Sequence, residues 1–191
     1  MRKIVFDIET RNVFEDVGKA DPTLLDISIV GVYEYESGKY ESYLVEELPK
    51  LWPILEKADM LITFNGDHFD IPLLNKYYHG DLSKIKSLDI LVEVKKSLGR
   101  RVGLGNIAEA TLGVGKSANG LQAVEWWKKG DIESIRKYCL QDVKVTKDVY
   151  EYALKHKKLR YKDGTQTKDV IIDSSSWESI NNSAMNFSLP F

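Results

Sequence analysis

The sequence has little of what several classes of protein require. Its 191 residues include one cysteine, Cys139, and three histidines, so an intramolecular disulfide and a multi-cysteine zinc site are both excluded. Any metal ion must then be held mainly by oxygen ligands, which favours magnesium or manganese. No apolar run comes near the roughly 18 residues of a membrane span, and the first residues lack the apolar core of a signal peptide. We therefore expect a cytoplasmic protein that does not insert into a membrane.

An excess of charge of one sign is also absent. The 27 basic and 29 acidic residues give a formal net charge of -2, so the chain as a whole does not attract nucleic acid. Any such binding would rest on a local patch, and the basic residues within 95–101 and 155–160 are candidates for one. Both runs are equally typical of a solvated helix face. Hydrophobic residues at 43% and charged residues at 29% are typical of a folded globular chain.

Hydrophobic periodicity predicts strands at the start of the chain. Residues 2–8 alternate between two faces, as in a strand. Residues 26–36 and 39–45 are two further β-rich runs, and the intervening Ser37-Gly38 indicates a two-residue turn and an antiparallel hairpin. The first three strands are therefore predicted to form an antiparallel meander.

Strands and helices alternate after the meander. Apolar spacing predicts helices over 49–57, 71–78 and 104–112, a strand over 59–64, and a strand that leads into a helix over 88–98. The longest periodic segment, 131–156, is predicted to be one amphipathic helix. The fold class that follows is α/β, with a mixed central sheet of an antiparallel meander and parallel βα strands, flanked by helices.

The chain divides on this basis into a domain over residues 1–156 and an appendage over 157–191. A turn-prone Asp163-Gly164 between two β-rich runs indicates a small hairpin, and a tail rich in Ser and Asn follows from Asp173. The tail contains too many large apolar residues for a segment that only interacts with water. These are Trp177, Met185, Phe187, Leu189 and Phe191. We expect the tail to dock on the domain or to bind a protein partner.

Four acidic residues occupy positions at which a carboxylate can take part in catalysis. Asp7 and Glu9 leave the same face of the first strand about 7 Å apart, and Asp70 opens a helix after a polar loop. Asp142 lies one helical turn after Tyr138 and continues an apolar stripe, so it points towards the core. Taken singly, each has an ordinary structural explanation, namely an exposed strand end, a helix N-cap or a salt bridge. A buried carboxylate, however, must neutralise, pair or bind a metal ion.

Three short segments together resemble a known enzyme family. In order and spacing, Phe6-Asp7-Ile8-Glu9-Thr10, Asn65-Gly66-Asp67-His68-Phe69-Asp70 and Tyr138-x-x-x-Asp142 are similar to the motifs of the tyrosine-type DEDD 3′→5′ exonucleases. The histidine-type subgroup matches less well, because Lys137 stands where it would place a histidine. The middle motif and the Tyr-Cys-Leu-Gln-Asp run look most like the proofreading domain of family B DNA polymerases, here without a polymerase. The resemblance covers about residues 2–155.

The resemblance implies a ribonuclease H-like fold and a two-metal mechanism. Two divalent cations, Mg²⁺ or Mn²⁺, would be held by Asp7, Glu9, Asp70 and Asp142, with Asp7 bridging both. Tyr138 would orient the attacking water or the scissile phosphate rather than act as a base. The implied reaction is hydrolysis of terminal phosphodiesters of single-stranded DNA or RNA, which releases nucleoside 5′-monophosphates.

The expected substrate-binding residues are Thr10, Asn65, Phe69 and Lys116. Asn65 and Phe69 belong to the middle motif and would contact the terminal nucleotide, and Thr10 closes the first motif. Lys116 follows a predicted helix in a segment with two glycines. It is expected to touch a substrate phosphate or to end a turn, because a nucleotide-binding phosphate loop would have to follow a strand.

Two alternatives stay open from the sequence. A ribonuclease H-type endonuclease would use similar metal chemistry on internal bonds, and product size would separate it from an exonuclease. A nucleic-acid-binding module would keep the fold with little activity. The complete set of mutually repelling carboxylates argues against this second alternative.

Overall fold

The main sheet is built around the first strand. The computed structural model describes residues 1–115 and 120–179, and its main sheet has five strands in the order β3-β2-β1-β4-β5. They are β1 (Lys3–Thr10), β2 (Ile27–Glu34), β3 (Lys39–Leu44), β4 (Met60–Thr63) and β5 (Lys86–Asp89). β2 pairs antiparallel with both β1 and β3, whereas β4 runs parallel to β1 and to β5. The predicted mixed sheet, a meander joined to parallel βα strands, is confirmed.

The described residues form seven α-helices and a second, two-stranded sheet. The helices are α1 (Phe14–Val17), α2 (Leu48–Leu55), α3 (Asp70–Asn75), α4 (Ile90–Leu98), α5 (Leu104–Leu112), α6 (Gly120–Lys129) and α7 (Ile132–His156). The antiparallel hairpin β6 (Lys158–Asp163) and β7 (Gln166–Ile171) follows α7, as predicted. Within the described ranges, no helix is both long enough and apolar enough to cross a membrane.

Helices cover both faces of the sheet, so β1 is apolar on both sides. On one face Phe6 packs in a cluster with Leu51 of α2 and Leu74 of α3. On the other face Val5 packs in a cluster with Val149 of α7. A strand buried on both faces is expected at the centre of an α/β sheet.

The β2–β3 turn is longer than predicted. The two-residue turn at Ser37-Gly38 is wrong in length, because Glu34 and Lys39 are the last paired residues and four residues lie between them. Gly38 has a φ of +70° and donates its amide hydrogen to the carbonyl oxygen of Glu34 at 2.8 Å. The glycine therefore supplies the left-handed conformation that returns the chain to β3.

The long helix α7 crosses the sheet in close contact with β2. A Cβ atom on Gly31 would lie 2.8 Å from Sγ of Cys139 and 3.1 Å from Cγ2 of Val143, so a side chain at position 31 would force α7 away. The thiol of Cys139 donates to the carbonyl oxygen of Asp7 at 3.5 Å. Close packing on Gly31 therefore brings the Tyr138–Asp142 turn of α7 against β1.

The C-terminal hairpin shares the core of the α/β domain. Leu159, Tyr161 and Val170 belong to the same buried cluster as the α7 residues that face the sheet. Asn106 of α5 exchanges two hydrogen bonds with the backbone of Lys162, at 2.7 and 3.0 Å. These side-chain bonds satisfy backbone groups on the outer edge of β6, which would otherwise be unpaired.

The segment after the hairpin is anchored at the amino-terminal ends of the parallel strands. The indole of Trp177 is 3% exposed and stacks on Tyr150, with ring centroids 5.6 Å apart. Lys86, the first residue of β5, donates from Nζ to the carbonyl oxygens of residues 176, 177 and 179. Glu178 forms an ion pair with Lys3 of β1 at 2.5 Å. The other four apolar residues of the tail lie outside the described residues.

Candidate active site

Four carboxylates from three elements meet at one end of the sheet. Asp7 and Glu9 lie in the second half of β1, Asp70 is the first residue of α3, and Asp142 lies within α7. Because β1 and β4 are parallel, their carboxyl ends lie side by side, and the loop after β4 returns Asp70 to β1. The charges that act most strongly on Asp7 are those of the other three carboxylates. The structure therefore brings the four predicted acidic residues together.

The carboxylates form the floor of an open cleft of about 510 Å³. Its lining residues are Asp7, Ile8, Glu9, Thr10, Asn12, Val13, Phe14, Glu15, Leu25, Phe64, Asn65, Phe69, Asp70, Gly120, Leu121 and Asp142. Phe14 and Phe69 meet edge to face, with ring centroids 6.1 Å apart, and Leu121 at the start of α6 is 63% exposed. An acidic floor between apolar and aromatic walls suits a cation at the floor and a flat ring against the walls.

Burial and mutual repulsion make the metal-free carboxylates poor acids. Desolvation, followed by the charges of Asp70, Glu9 and Asp142, raises the pKa of Asp7 well above its usual range. Desolvation and the charges of Asp142 and Asp70 likewise raise the pKa of Glu9. Burial raises the pKa of Asp70 to about 7, although hydrogen bonds from the backbone amides of Asp70 and Ile8 oppose the shift. Asp7, Glu9 and Asp70 are therefore costly to ionise together without a cation.

The donor set fits divalent cations that prefer oxygen. Carboxylates are the ligands of Mg²⁺ and Mn²⁺, and clustered carboxylates that raise one another's pKa values are stabilised by a cation between them. Glu9 is 6% exposed and lines the cleft. Within the described ranges neither a hydrogen bond nor an ion pair to its carboxylate is found, which leaves it available as a ligand. The chemistry of these residues thus matches a metal centre.

Tyr138 lies beside the carboxylates and stays protonated. Its ring meets Trp126 of α6 edge to face, with centroids 5.9 Å apart. Burial and the charges of Asp142, Glu9 and Asp7 raise the pKa of Tyr138, and a hydrogen bond to Asp142 adds to the effect. The phenol is therefore a hydrogen-bond donor at neutral pH and cannot serve as a base.

Asp89 is a structural residue of the site that sequence reasoning did not single out. Its buried carboxylate accepts the backbone amides of Asn65 at 2.8 Å, Asp67 at 3.2 Å and Leu91 at 2.9 Å. It therefore caps α4 and fixes the loop between β4 and α3 at the same time. An aspartate between a strand and a helix is the N-cap pattern, so sequence could have indicated the cap. Its hold on a loop 24 residues away could not be foreseen.

The loop fixed by Asp89 carries two of the predicted substrate-binding residues. Asn65 has a φ of +75°, and its side-chain oxygen accepts a hydrogen bond from Arg101 at 2.5 Å. Phe69 lines the cleft four residues later. Asp67 accepts a hydrogen bond from Ser87 at 2.5 Å and is not among the residues that line the cleft. The structure thus places Asn65 and Phe69 on the wall next to Asp70.

The remaining substrate-binding predictions have different outcomes. Thr10 lines the cleft next to Glu9, and its hydroxyl donates to the carbonyl oxygen of Asn12 at 2.8 Å. Lys116 lies outside the described residues. Of the basic run before α5, Arg101 reaches the cleft wall through Asn65, whereas Arg100 pairs with Asp163 of the hairpin at 3.0 Å. One arginine of that run is therefore near the site and the other supports the hairpin.

Comparisons with known proteins agree with this architecture. The sequence matches the RNase_H_2 family model of the RNase H superfamily over residues 4–154. The fold is similar to the family B DNA polymerase of the hyperthermophilic archaeon Pyrobaculum calidifontis, with a TM-score of 0.62 and 18% identity over 81% of this chain and 24% of the polymerase. It is also similar to Trypanosoma brucei RNase D, with a TM-score of 0.56 and 17% identity over 78% of this chain and 56% of that protein. No protein with a curated description matches the sequence.

These findings define the class first. A mixed five-stranded sheet of this order, similar in fold to a family B DNA polymerase and to RNase D, is a ribonuclease H-like fold. The chain belongs to the RNase H superfamily. The fold predicted from the sequence is therefore confirmed. The chain spans less than two thirds of the length of either structural neighbour.

Proposed function

We propose that the chain is a divalent-metal-dependent 3′→5′ exonuclease, which removes nucleoside 5′-monophosphates from single-stranded DNA or RNA. The observation that carries the proposal is the convergence of four carboxylates on one open cleft, with Tyr138 hydrogen-bonded to Asp142 beside them. Membership of a superfamily of nuclease-type hydrolases supports the reaction class, and likeness to RNase D supports a nucleic-acid substrate. We assign the activity to residues 1–156, since all five of these residues lie there.

The carboxylates of Asp7, Glu9, Asp70 and Asp142 would hold two divalent cations, Mg²⁺ or Mn²⁺. When bound, such cations lower the pKa of water and compensate negative charge on a phosphate and its leaving oxygen. The carboxylates alone would repel a phosphodiester, so substrate binding depends on the same cations.

The protein's own side chains position the substrate. Phe14 and Phe69 offer an aromatic wall on which a terminal base can stack, and stacking accepts any base. Asn65, held by Arg101 and Asp89, offers its amide group to the same nucleotide. The cleft has the volume of a site for one small ligand, which favours a terminal nucleotide over a long duplex.

The reaction is an in-line displacement at phosphorus. A water oxygen bonds to the terminal phosphorus, and the bond from that phosphorus to the 3′-oxygen of the preceding nucleotide breaks. The 3′-oxygen takes up a proton, and the released nucleotide keeps its 5′-phosphate. The protonated Tyr138 donates a hydrogen bond to the water or to a phosphate oxygen and fixes its direction.

The test uses 5′-labelled single-stranded DNA and RNA of one sequence, with Mg²⁺, Mn²⁺ or a chelator. A metal-dependent ladder that shortens from the 3′ end, with nucleoside 5′-monophosphates as products, is the expected result. The Asp142→Asn variant should lose at least about a thousandfold in rate, because it removes a ligand and a charge from the centre. Glu133→Gln is the matched control, since Glu133 is an exposed carboxylate on the same helix.

Other products would redirect the assignment. Internal cuts would favour a ribonuclease H-type endonuclease. Intact substrate that shifts on a native gel would favour a binding module. Full activity of Asp142→Asn would remove the proposed metal centre.

A further inference from the structure

Cys139 lies next to the carboxylates and is not among the residues that line the cleft. Its sulfur and one oxygen each of Asp7 and Glu9 lie within 4.8 Å of one another. The sulfur is fully buried, and close packing against Gly31 keeps it beside β1. Two hard oxygen ligands and one soft sulfur ligand are therefore adjacent, although they come from a strand and a helix.

An independent feature points to a cation at this position. Glu9 is 6% exposed, and none of the described residues offers its carboxylate a hydrogen bond or an ion pair. A buried carboxylate without such a partner is either protonated or held by a metal ion. Glu9 belongs to two sets of ligands. One is the four carboxylates, which offer oxygen only, and the other is Asp7, Glu9 and the sulfur of Cys139.

The two ligand sets differ in the metals that they select. Mg²⁺ and Mn²⁺ prefer oxygen ligands, so Cys139 does not coordinate either ion when the carboxylates bind it. Zn²⁺ accepts sulfur and oxygen together, at about 2.3 Å and 2.0–2.2 Å respectively. Ligand atoms around a tetrahedral ion at these distances are about 3.5 Å apart, so the three atoms need to approach one another by about 1 Å. Rotation of the carboxylate side chains can supply that movement.

We propose that Asp7, Glu9 and Cys139 form a mixed carboxylate–thiolate site for Zn²⁺ and similar sulfur-binding divalent cations. Binding releases the thiol proton to solvent and leaves the sulfur bonded to the ion. Because it uses Asp7 and Glu9, this ion excludes the arrangement that holds Mg²⁺ or Mn²⁺. Zn²⁺ bound in this way should inhibit the nuclease. That inhibition rests on the proposed function, whereas the Zn²⁺ site itself does not.

Co²⁺ titration of the metal-free protein tests the site directly, because a cobalt–thiolate bond gives a charge-transfer absorption that carboxylates do not. Cys139 is the sole cysteine of the sequence, so such a band identifies its sulfur. The expected result is a band that saturates at one equivalent and disappears when Zn²⁺ displaces the cobalt. A titration without this band would overturn the proposal.

Three variants separate the mixed site from a thiol that binds alone. Cys139→Ser and Cys139→Ala should each weaken Zn²⁺ binding, measured by calorimetry, at least about tenfold. Glu9→Gln keeps the thiol and should weaken the cobalt band to a similar degree, whereas Glu133→Gln should leave it unchanged. Circular dichroism checks that each variant is folded. Zinc affinity equal to that of the original chain in both cysteine variants, or an unweakened band in Glu9→Gln, would refute the shared site.

A nuclease assay adds the consequence for activity. In excess Mg²⁺, Zn²⁺ should inhibit the original chain at a concentration at least about tenfold below that needed for Cys139→Ser. Equal inhibition of both would show that zinc acts elsewhere. If no nuclease activity is found at all, the proposed function fails, and the cobalt band still decides whether the site exists.

Discussion

The carboxylate of Asp89 accepts the backbone amide of Asn65 at 2.8 Å and so ties the end of β5 to the loop that carries one wall of the cleft. The same carboxylate accepts the amides of Asp67 and Leu91. Asn65 has a φ of +75°, a left-handed conformation that asparagine adopts more readily than other non-glycine residues. The position of this loop therefore depends on one side chain in a neighbouring strand.

Removal of that carboxylate should loosen the site and the fold together. Asp89→Ala leaves buried amides without an acceptor, so it should lower the free energy of unfolding by about 2–4 kcal/mol in urea titrations. Activity should fall, because Asp70 and Phe69 follow the released loop. Asp89→Asn keeps an oxygen acceptor and should recover part of both losses. An alanine variant as stable and active as the original chain would contradict this role.

The pH dependence of stability reports on the carboxylate cluster. A carboxyl whose pKa is about 7 in the folded protein and about 4 in the unfolded chain stabilises the fold below pH 4 and loses that contribution as the pH rises to 7. For Asp70 this amounts to up to about 4 kcal/mol. Metal-free Asp70→Asn should therefore be more stable than the original chain at pH 7.5, and the difference should shrink towards pH 4.

Added Mg²⁺ should reverse the order of stability of the original chain and Asp70→Asn. At pH 7.5, MgCl₂ should raise the melting temperature of the original chain by linkage to binding, and Asp70→Asn should gain less. Near pH 4 the carboxyls are protonated, so the same salt should have little effect on either protein. Glu133→Gln, measured in parallel, controls for the loss of a surface charge. An equal response to MgCl₂ at both pH values would speak against a carboxylate metal centre.

The role of Tyr138 is tested by the shape of a pH–rate profile. Its raised pKa keeps the phenol protonated, so Tyr138→Phe should lower kcat about a hundredfold without moving the limbs of the profile. A rise in rate with pH that is present in the original chain and lost in the variant would instead make Tyr138 a titrating base. Tyr152→Phe, on the same helix and stacked near His156, is the matched control.

Much of the fold was predictable because its signals are local. The alternation in β1, the apolar stripe of α7 and the breaks between βα units fixed the order of elements, and motif spacing indicated the convergence of Asp7 with Asp142. The four-residue β2–β3 turn was missed, because Tyr35 and Glu36 continue a β-rich pattern. Pairing of Glu34 with Lys39, which depends on sheet register, decided where the strand ends.

The parts that sequence did not show are contacts between distant segments. The sequence pattern at Asp89 indicates an ordinary helix N-cap. Cys139 has the position of a small apolar residue on the buried stripe of α7. Only the packing of α7 on Gly31 reveals that the sulfur lies beside Asp7 and Glu9. Docking of Trp177 on Tyr150 likewise depends on the path of the chain after β7.

The contact between α7 and Gly31 predicts a double-mutant result. Gly31→Ala places a methyl group 2.8 Å from Sγ of Cys139, so it should destabilise the fold by about 1–3 kcal/mol. Cys139→Ala removes the clashing sulfur. The double variant should therefore be more stable than the sum of the single effects allows, by about 1 kcal/mol in urea titrations. Simple additivity would show that the methyl group is accommodated without moving α7.

Trp177 should matter for stability and not for catalysis. Its buried indole stacks on Tyr150, and the adjoining backbone carbonyls accept hydrogen bonds from Lys86. Trp177→Ala should therefore cost about 3–5 kcal/mol in urea titrations, as for other buried tryptophans. The segment packs at the amino-terminal ends of β1 and β5, whereas the carboxylates lie at the opposite ends of the strands. The kcat of the folded variant should therefore stay unchanged.

Ile171→Ala is the control for Trp177→Ala. Ile171 is 69% exposed on the neighbouring strand, so its substitution should cost less than about 0.5 kcal/mol. A lowered kcat in fully folded Trp177→Ala would show that this end of the sheet communicates with the cleft.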